Sequence, residues 1–169
     1  MKLVRLNPDR IFYRFHRPKW ASMPASGAGA AATGGRFNRP GTAALYLAAD
    51  PLTALAEFGQ GTTIVPPGTL VAYQMDIDQV AELAMTQYAD AGCDWKYLSR
   101  IVGRDPPSWR IADGLLAKGR RGLLYPSIRR AGGLNLVLFL ANLDANDRIA
   151  PHDPQATLPR DQSSWPPSP

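Results

Sequence analysis

A glycine-rich turn, Gly34-Gly35-Arg36, is the first segment of this 169-residue sequence that could bind a ligand. Two glycines let the backbone bend tightly, so that the guanidinium of Arg36 can bind a phosphate through two hydrogen bonds. The same tripeptide is also common in solvated surface turns, and the residues alone leave both interpretations open. The sequence contains neither a Gly-x-Gly-x-x-Gly fingerprint nor a Gly-Lys-Thr phosphate loop, which excludes the Rossmann and P-loop classes.

Glu57 is the only charged residue in the apolar stretch from Ala54 to Phe58. Such a carboxylate either reaches solvent at the edge of a helix or lies in a pocket as a functional group. In a pocket that holds a nucleotide, it could accept a hydrogen bond from a ribose hydroxyl. It could then stabilise the oxocarbenium character that develops when a glycosidic bond breaks. The sequence alone does not decide between the two positions.

Ser127 is a third candidate, and it precedes a second basic, glycine-rich turn that leads to Asn135. The sequence has only two histidines, His16 and His152, and neither is close to Ser127 in sequence, so a Ser-His-Asp hydrolase is poorly supported. We therefore predict that Ser127 is a hydrogen-bonding group rather than a nucleophile. Two dispersed histidines and the single cysteine, Cys93, predict neither a metal site nor an intramolecular disulfide bond.

The composition narrows the class of protein further. With 19 Lys and Arg against 14 Asp and Glu, the net charge is +5, which favours nucleic acid, a nucleotide or an acidic protein as partner. The 15 glycines and 16 prolines disfavour a helical bundle and predict many loops. The sequence has neither the pattern of a signal peptide nor a run of about 20 apolar residues. We therefore expect a cytoplasmic protein that does not associate with a membrane.

Short elements are predicted to position the candidate residues. The predicted strands span residues 11–15, 43–48, 69–77, 122–125 and 134–143. The predicted helices span residues 51–58, 78–85 and 109–118, with Asp50 and Ser108 as N-caps and Gly119 after the last helix. These elements are too short and too irregularly spaced for repeated βαβ units. We therefore predict an α/β (α+β) domain with short, largely antiparallel strands.

Two segments have an unusual composition. Residues 21–35 are mostly Ala, Gly, Ser and Thr, and such a segment either lets the backbone approach a ligand closely or forms a flexible linker. The last twenty residues contain six prolines, which predicts an extended tail. We therefore divide the chain into a domain over residues 1–150 and a proline-rich tail over residues 151–169.

Taken in order, the candidate residues resemble the RES-domain family, the toxin half of RES/Xre toxin–antitoxin pairs, which is named for its Arg, Glu and Ser. In that family a Ser-Gly-x-Gly-Ala stretch is followed by Gly-Gly-Arg-Trp-Asn and then by a tyrosine. A helix that carries the glutamate comes next, and a Pro-Ser pair and an asparagine lie much further along the chain. The matching positions here are Ser26–Ala30, Gly34–Asn38, Tyr46, Glu57, Pro126-Ser127 and Asn135. The resemblance extends from about Tyr13 to Leu140, and Phe37 replaces the usual tryptophan.

The resemblance implies a fold and an activity. The fold would be a single domain similar to ADP-ribosyltransferases of the diphtheria-toxin type, in which two small sheets form a cleft for NAD. The activity would be cleavage of the nicotinamide–ribose bond of NAD by a type II toxin, with NAD as substrate and no metal. The compact chain is similar in size to the ParT-like branch, which implies transfer of ADP-ribose to a host protein similar to phosphoribosyl pyrophosphate synthetase. The alternative is an NAD glycohydrolase or phosphorylase, with water or phosphate as acceptor.

The resemblance also implies a role for each candidate residue. Glu57 would bind the nicotinamide ribose and stabilise its developing charge, and Ser127 would orient the same ribose or the amide. Arg36, helped by Arg14, would bind the pyrophosphate, and Tyr46 would stack on nicotinamide. The implied catalytic residues are Glu57, Arg36, Tyr46 and Ser127. The implied NAD-binding residues are Arg14, Arg36, Asn38, Tyr46 and Asn135.

The implied partner is a cognate Xre-type antitoxin that covers the cleft, so that nucleic acid is contacted only through the antitoxin. A rival hypothesis from the residues themselves is a basic nucleic-acid-binding module. In that module the pairs Arg120-Arg121 and Arg129-Arg130 would contact phosphates. The rival hypothesis gives no role to Tyr46 or Glu57.

Overall fold

The computed structural model describes residues 1–62 and 64–162, in which seven β-strands and five α-helices are present. The strands are β1 (Lys2–Leu6), β2 (Phe12–His16), β3 (Ala44–Ala48), β4 (Thr69–Glu82), β5 (Gly122–Pro126), β6 (Leu134–Phe139) and β7 (Arg148–Pro151). The helices are α1 (Ala28–Thr33), α2 (Pro51–Gly59), α3 (Tyr88–Ala91), α4 (Trp95–Tyr97) and α5 (Pro107–Ala117). Across these same residues, no helix is both long enough and apolar enough to span a bilayer.

The long strand β4 holds the sheet together. It pairs with β2 along its first half, with β7 in its middle, and with β1 and β5 near its end. Of these pairings only the one with β5 is parallel, so the predicted α/β fold with largely antiparallel strands is confirmed. The strand order β4-β2-β3-β6-β5 returns to β4, which corrects the expectation of two small sheets. The strands form one sheet because β4 pairs with β2 at one end of this order and with β5 at the other.

The short helix predicted over residues 78–85 is wrong, because β4 continues to Glu82. The strand passes through an irregular position at Gln79, whose φ is 57°, and its register with β1 shifts at this point. Val80 and Ala81 are fully buried and pair with both β1 and β5. Burial between two neighbouring strands therefore overrides the local helical pattern.

Helix α1 forms inside the small-residue segment over residues 21–35, for which the sequence left open a close approach to a ligand and a flexible linker. The segment packs closely on the sheet: a Cβ atom added to Gly27 would lie 2.8 Å from the backbone nitrogen of Ala44 in β3. Small side chains permit this close approach. The segment is therefore part of the packed domain rather than a linker.

Helix α2 and strands β2, β3, β5 and β6 lie close to their predicted positions, although β6 ends at Phe139 and a short 3-10 turn follows it. Helix α5 begins at Pro107, two residues before the predicted start, and its N-cap is Pro106. The predicted N-cap Ser108 is wrong, because this residue is buried in the first turn. There its Oγ lies 3.6 Å from the Sγ of Cys93.

Strands β1 and β7 were not predicted, because they are short and largely exposed. Strand β7 crosses the predicted domain boundary at residue 150, and Leu158 beyond it packs on the core. The carboxylate of Asp153 accepts hydrogen bonds from the backbone amides of Thr157 and Leu158. The end of the predicted tail, residues 163–169, lies outside the described residues. The division at residue 150 stays a prediction.

The alternation of side chains along the strands places one group of polar residues on a single face. Leu47 and Val71 point into one core cluster, whereas Tyr46 and Tyr125 belong to the second, on the opposite face. Asn135 of β6 pairs with Ala48 of β3 and with Tyr125 of β5. Because paired residues point to the same side of a sheet, Tyr46, Tyr125 and Asn135 share one face.

Gly122 allows β5 and β6 to approach each other, since an added Cβ would lie 2.5 Å from the carbonyl oxygen of Val137. We expect Gly122→Ala to lower the free energy of unfolding by about 1–3 kcal/mol, because the strand backbones must move. The matched control is Gly114 on the exposed side of α5, where an added Cβ meets nothing within 4 Å. Alanine there should raise the free energy of unfolding by about 0.5–1 kcal/mol. Urea denaturation measures both values, and equal effects would contradict this packing.

Candidate active site

A cavity of about 660 Å³ opens between β2, β3 and α2. Strands β2 and β3 are joined by one residue pair, Tyr13 with Ala48, in the described structure, so they diverge on either side of it. Five of the predicted site residues line the cavity wall: Arg14, Arg36, Tyr46, Glu57 and Asn135. The other two, Ser127 and Asn38, are buried behind this wall and contact the residues that form it. The fold therefore brings all seven predicted residues to one site.

The carboxylate of Glu57 is held by two hydrogen bonds at the centre of the site. Its Oε1 accepts one from the Oγ of Ser127 and one from the Nδ2 of Asn135, both at 2.6 Å. The backbone amides of Arg129 and Arg130 donate to the same Ser127 Oγ, so its single proton is directed to Glu57. In the described chain, no donor approaches Oε2. The arrangement leaves that oxygen for a ligand.

The N-terminal end of α2 is anchored to the turn that carries Ser127. Asp50 caps the helix by accepting from the backbone amide of Thr53 at 2.9 Å and from its hydroxyl at 2.6 Å. These hydrogen bonds, together with the charge of Arg130, lower the pKa of Asp50 below its usual value. Arg130 donates to Asp50 and to the Thr53 hydroxyl. Gly133 packs directly on Thr53, where an added Cβ would lie 2.6 Å from the Oγ1 atom.

The phenol of Tyr46 fixes the Gly-Gly-Arg turn. Its hydroxyl donates to the Oδ1 of Asn38 at 2.8 Å and accepts from the backbone amide of Phe37 at 2.9 Å. Burial raises the pKa of Tyr46 above its ordinary value, so the hydroxyl keeps its proton. An added Cβ on Gly35 would lie 2.5 Å from both the Tyr46 hydroxyl and the Asn38 Oδ1. Glycine is required at this position because the backbone lies directly against this pair.

Arg36 and Arg14 supply positive charge to the cavity in different ways. The Nη1 of Arg36 donates to the carbonyl oxygens of Ala91 and Cys93 at 2.8 and 2.7 Å, which fastens the connection between α3 and α4 to the turn. The Nη1 of Arg14 is buried and has no hydrogen-bond partner in the described residues. Burial lowers the pKa of Arg14 from its usual value. Because Arg14 is one of the residues that line the cavity, this guanidinium is a candidate donor to a bound ligand.

Two more cations, Lys96 and Arg129, line the cavity without forming an ion pair in the part of the chain that the structure describes. The pKa of Lys96 is lowered by burial and by the charges of Arg100, Arg129 and Arg36. The ammonium group of Lys96 also donates to the side chain of Gln60 at the end of α2. The cavity therefore carries a concentration of positive charge that suits an anionic ligand.

The sequence interpretation missed several residues of the cavity wall. They are His16, Trp20, Gln60, Trp95 and Lys96, together with the small residues of α1. The small-residue composition of residues 21–35 did indicate close approach to a ligand. Trp95 and Lys96 lie in a short helix that shows no sequence periodicity, so no pattern in the sequence could have placed them at the cavity that Glu57 lines.

A model of the RES-domain family matches residues 11–161, so this chain belongs to the RES-domain family. The structure is also similar to a chain in the crystal structure of the M. tuberculosis MbcT–MbcA toxin–antitoxin complex, with a TM-score of 0.55 and 19% sequence identity. The match covers 88% of this chain and 86% of the other chain, and it shows a common fold. No curated protein sequence gives a significant match.

Tyr46→Phe tests whether the hydroxyl supports the turn. We expect the free energy of unfolding to fall by about 1–3 kcal/mol, because the Phe37 amide loses its buried acceptor and Asn38 loses a donor. Tyr97→Phe is the matched control, since Tyr97 is 55% exposed. This substitution should change the free energy of unfolding by no more than about 0.5 kcal/mol. Thermal or urea unfolding measures both variants. A Tyr46→Phe protein as stable as the control would show that the hydroxyl does not hold the turn.

Proposed function

We propose that this chain is the toxin of a type II toxin–antitoxin pair and that it cleaves the nicotinamide–ribose bond of NAD in the cytoplasm. The observation that carries the proposal is Glu57, which Ser127 and Asn135 hold at 2.6 Å beside a cavity of about 660 Å³. Membership of the RES-domain family supports NAD as the substrate. The positive charge that surrounds the cavity supports a ligand with phosphate groups.

In this proposal Glu57 acts on the nicotinamide ribose. Its Oε1 already accepts two hydrogen bonds, so Oε2 accepts one from a hydroxyl group of the ribose. As the bond between the ribose and nicotinamide breaks, its electron pair moves to the nicotinamide nitrogen and positive charge develops on the ribose. A carboxylate that is fixed in advance stabilises this charge more in the transition state than in the ground state. Ser127, which bonds Glu57, is a positioning residue.

Arg36 and Arg14 bind the pyrophosphate in this account. A guanidinium group has five N–H donors, so the use of the Arg36 Nη1 by two backbone carbonyls leaves other donors for a phosphate. Charge-assisted hydrogen bonds from both arginines fix the position of the dinucleotide relative to Glu57. The ring of Tyr46 lines the cavity and stacks on nicotinamide, while its hydroxyl supports the turn. Asn38 holds Tyr46, and Asn135 holds Glu57.

The proposed partner is a cognate Xre-type antitoxin that covers the cavity. The structural neighbour is part of a toxin–antitoxin complex, which supports a partner of this class. The cavity opens at the protein surface, so a bound protein would prevent NAD from reaching Glu57. Nucleic acid would be contacted only through the antitoxin.

The proposed acceptor of ADP-ribose is a host protein similar to phosphoribosyl pyrophosphate synthetase. A second candidate is phosphate, which would make the protein an NAD phosphorylase, and water is the corresponding acceptor of a glycohydrolase. Lys96 and Arg129 favour the phosphate alternative. Both residues line the cavity and are positively charged, and neither forms a salt bridge with a carboxylate in the described residues. Each of these three acceptors would attack the same ribose carbon after nicotinamide leaves.

The rival hypothesis of a nucleic-acid-binding module has little support in the arrangement of charge. Arg121 forms ion pairs with Asp144 and Asp147, and Arg130 forms one with Asp50. Two of the four arginines that this hypothesis requires are therefore neutralised by carboxylates of the protein. A surface that binds the phosphates of nucleic acid needs such cations unpaired.

Glu57→Gln removes the charge of the side chain and keeps its size. We expect release of nicotinamide from NAD to fall by at least about 100-fold, because the amide cannot stabilise positive charge on the ribose. The matched control is Glu82→Gln on β4, whose side chain is 50% exposed and which should leave the rate unchanged. Chromatographic assay of nicotinamide measures both rates. Undiminished release by a folded Glu57→Gln protein would exclude Glu57 from the reaction.

Labelled NAD distinguishes the acceptors. Incubation with cell extract should place label on a discrete protein band if ADP-ribose is transferred to a protein. ADP-ribose 1-phosphate as the product would support phosphate, and free ADP-ribose would support water. If wild-type protein released no nicotinamide under any of these conditions, the proposed function would be wrong.

A further inference from the structure

His16 is a buried side chain that has no role in the proposed function. It is 2% exposed and lies at the end of β2, two residues after Arg14. Residues two apart in a strand point to the same face. Both residues line the cavity that Glu57 also lines.

The hydrogen bonds around His16 determine which ring nitrogen carries its proton. The Tyr73 hydroxyl has one proton, and it donates this proton to the carbonyl oxygen of Pro24 at 2.8 Å. The Nε2 of His16 lies 2.5 Å from the same hydroxyl, so Nε2 must be the donor in this contact. Burial, together with the charge of Arg14, lowers the pKa of His16 to about 3. The ring is therefore neutral near pH 7, and Nδ1 carries a lone pair.

This Nδ1 is buried and has no hydrogen-bond partner in residues 1–62 and 64–162. The Nη1 of Arg14, on the same face of β2, is also buried and has no hydrogen-bond partner in these residues. Two residues that line the cavity thus carry one buried unsatisfied acceptor and one buried unsatisfied donor. Buried polar atoms without partners are rare in folded proteins, because each loses its hydrogen bonds to water and gains none in return.

We propose that His16 Nδ1 and Arg14 Nη1 recognise an amino group next to a hydrogen-bond acceptor on the substrate, and that His16 thereby determines substrate specificity. Two parts of NAD have this chemistry. The carboxamide of nicotinamide has an NH₂ group beside a carbonyl oxygen, and adenine has an NH₂ group beside ring nitrogens. In both, the amino group donates to His16 and the adjacent acceptor receives a hydrogen bond from Arg14. The other N–H groups of Arg14 remain for the pyrophosphate.

The inference rests on the proposed function, and substrate analogues test it without any mutation. In 3-acetylpyridine adenine dinucleotide a methyl group replaces the carboxamide NH₂. In nicotinamide hypoxanthine dinucleotide an oxygen replaces the adenine NH₂. Measuring kcat/KM for release of the pyridine base should show one analogue reduced about tenfold or more relative to NAD, because a buried acceptor then lacks its donor. The analogue that is affected identifies the group.

A variant tests whether His16 is the source of this preference. His16→Phe keeps an aromatic ring but removes the acceptor, so the preference for NAD over the affected analogue should fall to about twofold or less. The matched control is His152→Phe, which changes the other histidine of the chain, an exposed one, and should retain the full preference. If His16→Phe does not fold, the wild-type rates with NAD and the two analogues still show whether the substrate's amino group is recognised.

Each outcome bears on the proposal separately from the proposed function. Wild-type protein that cleaves NAD and both analogues at rates within twofold would overturn the inference about His16 and leave the proposed function intact. A preference that persists in folded His16→Phe would also overturn it. Wild-type protein that cleaves none of the three dinucleotides would overturn both.

Discussion

The hydrogen bonds that Ser127 and Asn135 donate to one oxygen of Glu57 are the constraint on which the rest of the site depends. They join residues 70 and 78 positions apart in the chain, and each bond is 2.6 Å long. Such bonds form only if α2, the end of β5 and β6 have the correct relative positions. Three features hold these elements in position. They are the N-cap of α2, the contact of Gly133 with Thr53, and the register of β6 between β3 and β5.

The distribution of charge follows from the same arrangement. Outside the cavity, arginines such as Arg5, Arg39 and Arg121 pair with carboxylates of the protein. At the cavity, Arg14 has a buried nitrogen without a partner in the described chain, and Arg36 bonds only backbone carbonyls there. Positive charge without a protein partner raises the energy of the empty site, and an anionic ligand lowers it. The site is therefore organised to bind an anion beside a fixed carboxylate.

Local patterns in the sequence marked residues that the fold brings together, but they could not predict how these residues meet. Glycines before Arg36, an isolated Glu57 in an apolar helix and a Pro-Ser before a glycine turn are local signals, and their order indicated the family. The hydrogen bonds of Glu57 depend on strand register, which no local pattern specifies. The same limit explains the error over residues 78–85, where burial against two strands decides the conformation. His16 and Lys96 were missed because only the tertiary fold places them at the cavity.

The central claim is that Glu57 lies against the nicotinamide ribose of NAD. A crystal structure of the Glu57→Gln protein with NAD tests it most directly, since this variant keeps the size of the side chain while it slows the reaction. We predict a hydroxyl of the nicotinamide ribose within hydrogen-bond distance of residue 57, and the pyrophosphate beside Arg36 and Arg14. NAD bound with its nicotinamide ribose away from residue 57, or a cavity that stays empty at saturating NAD, would contradict the account.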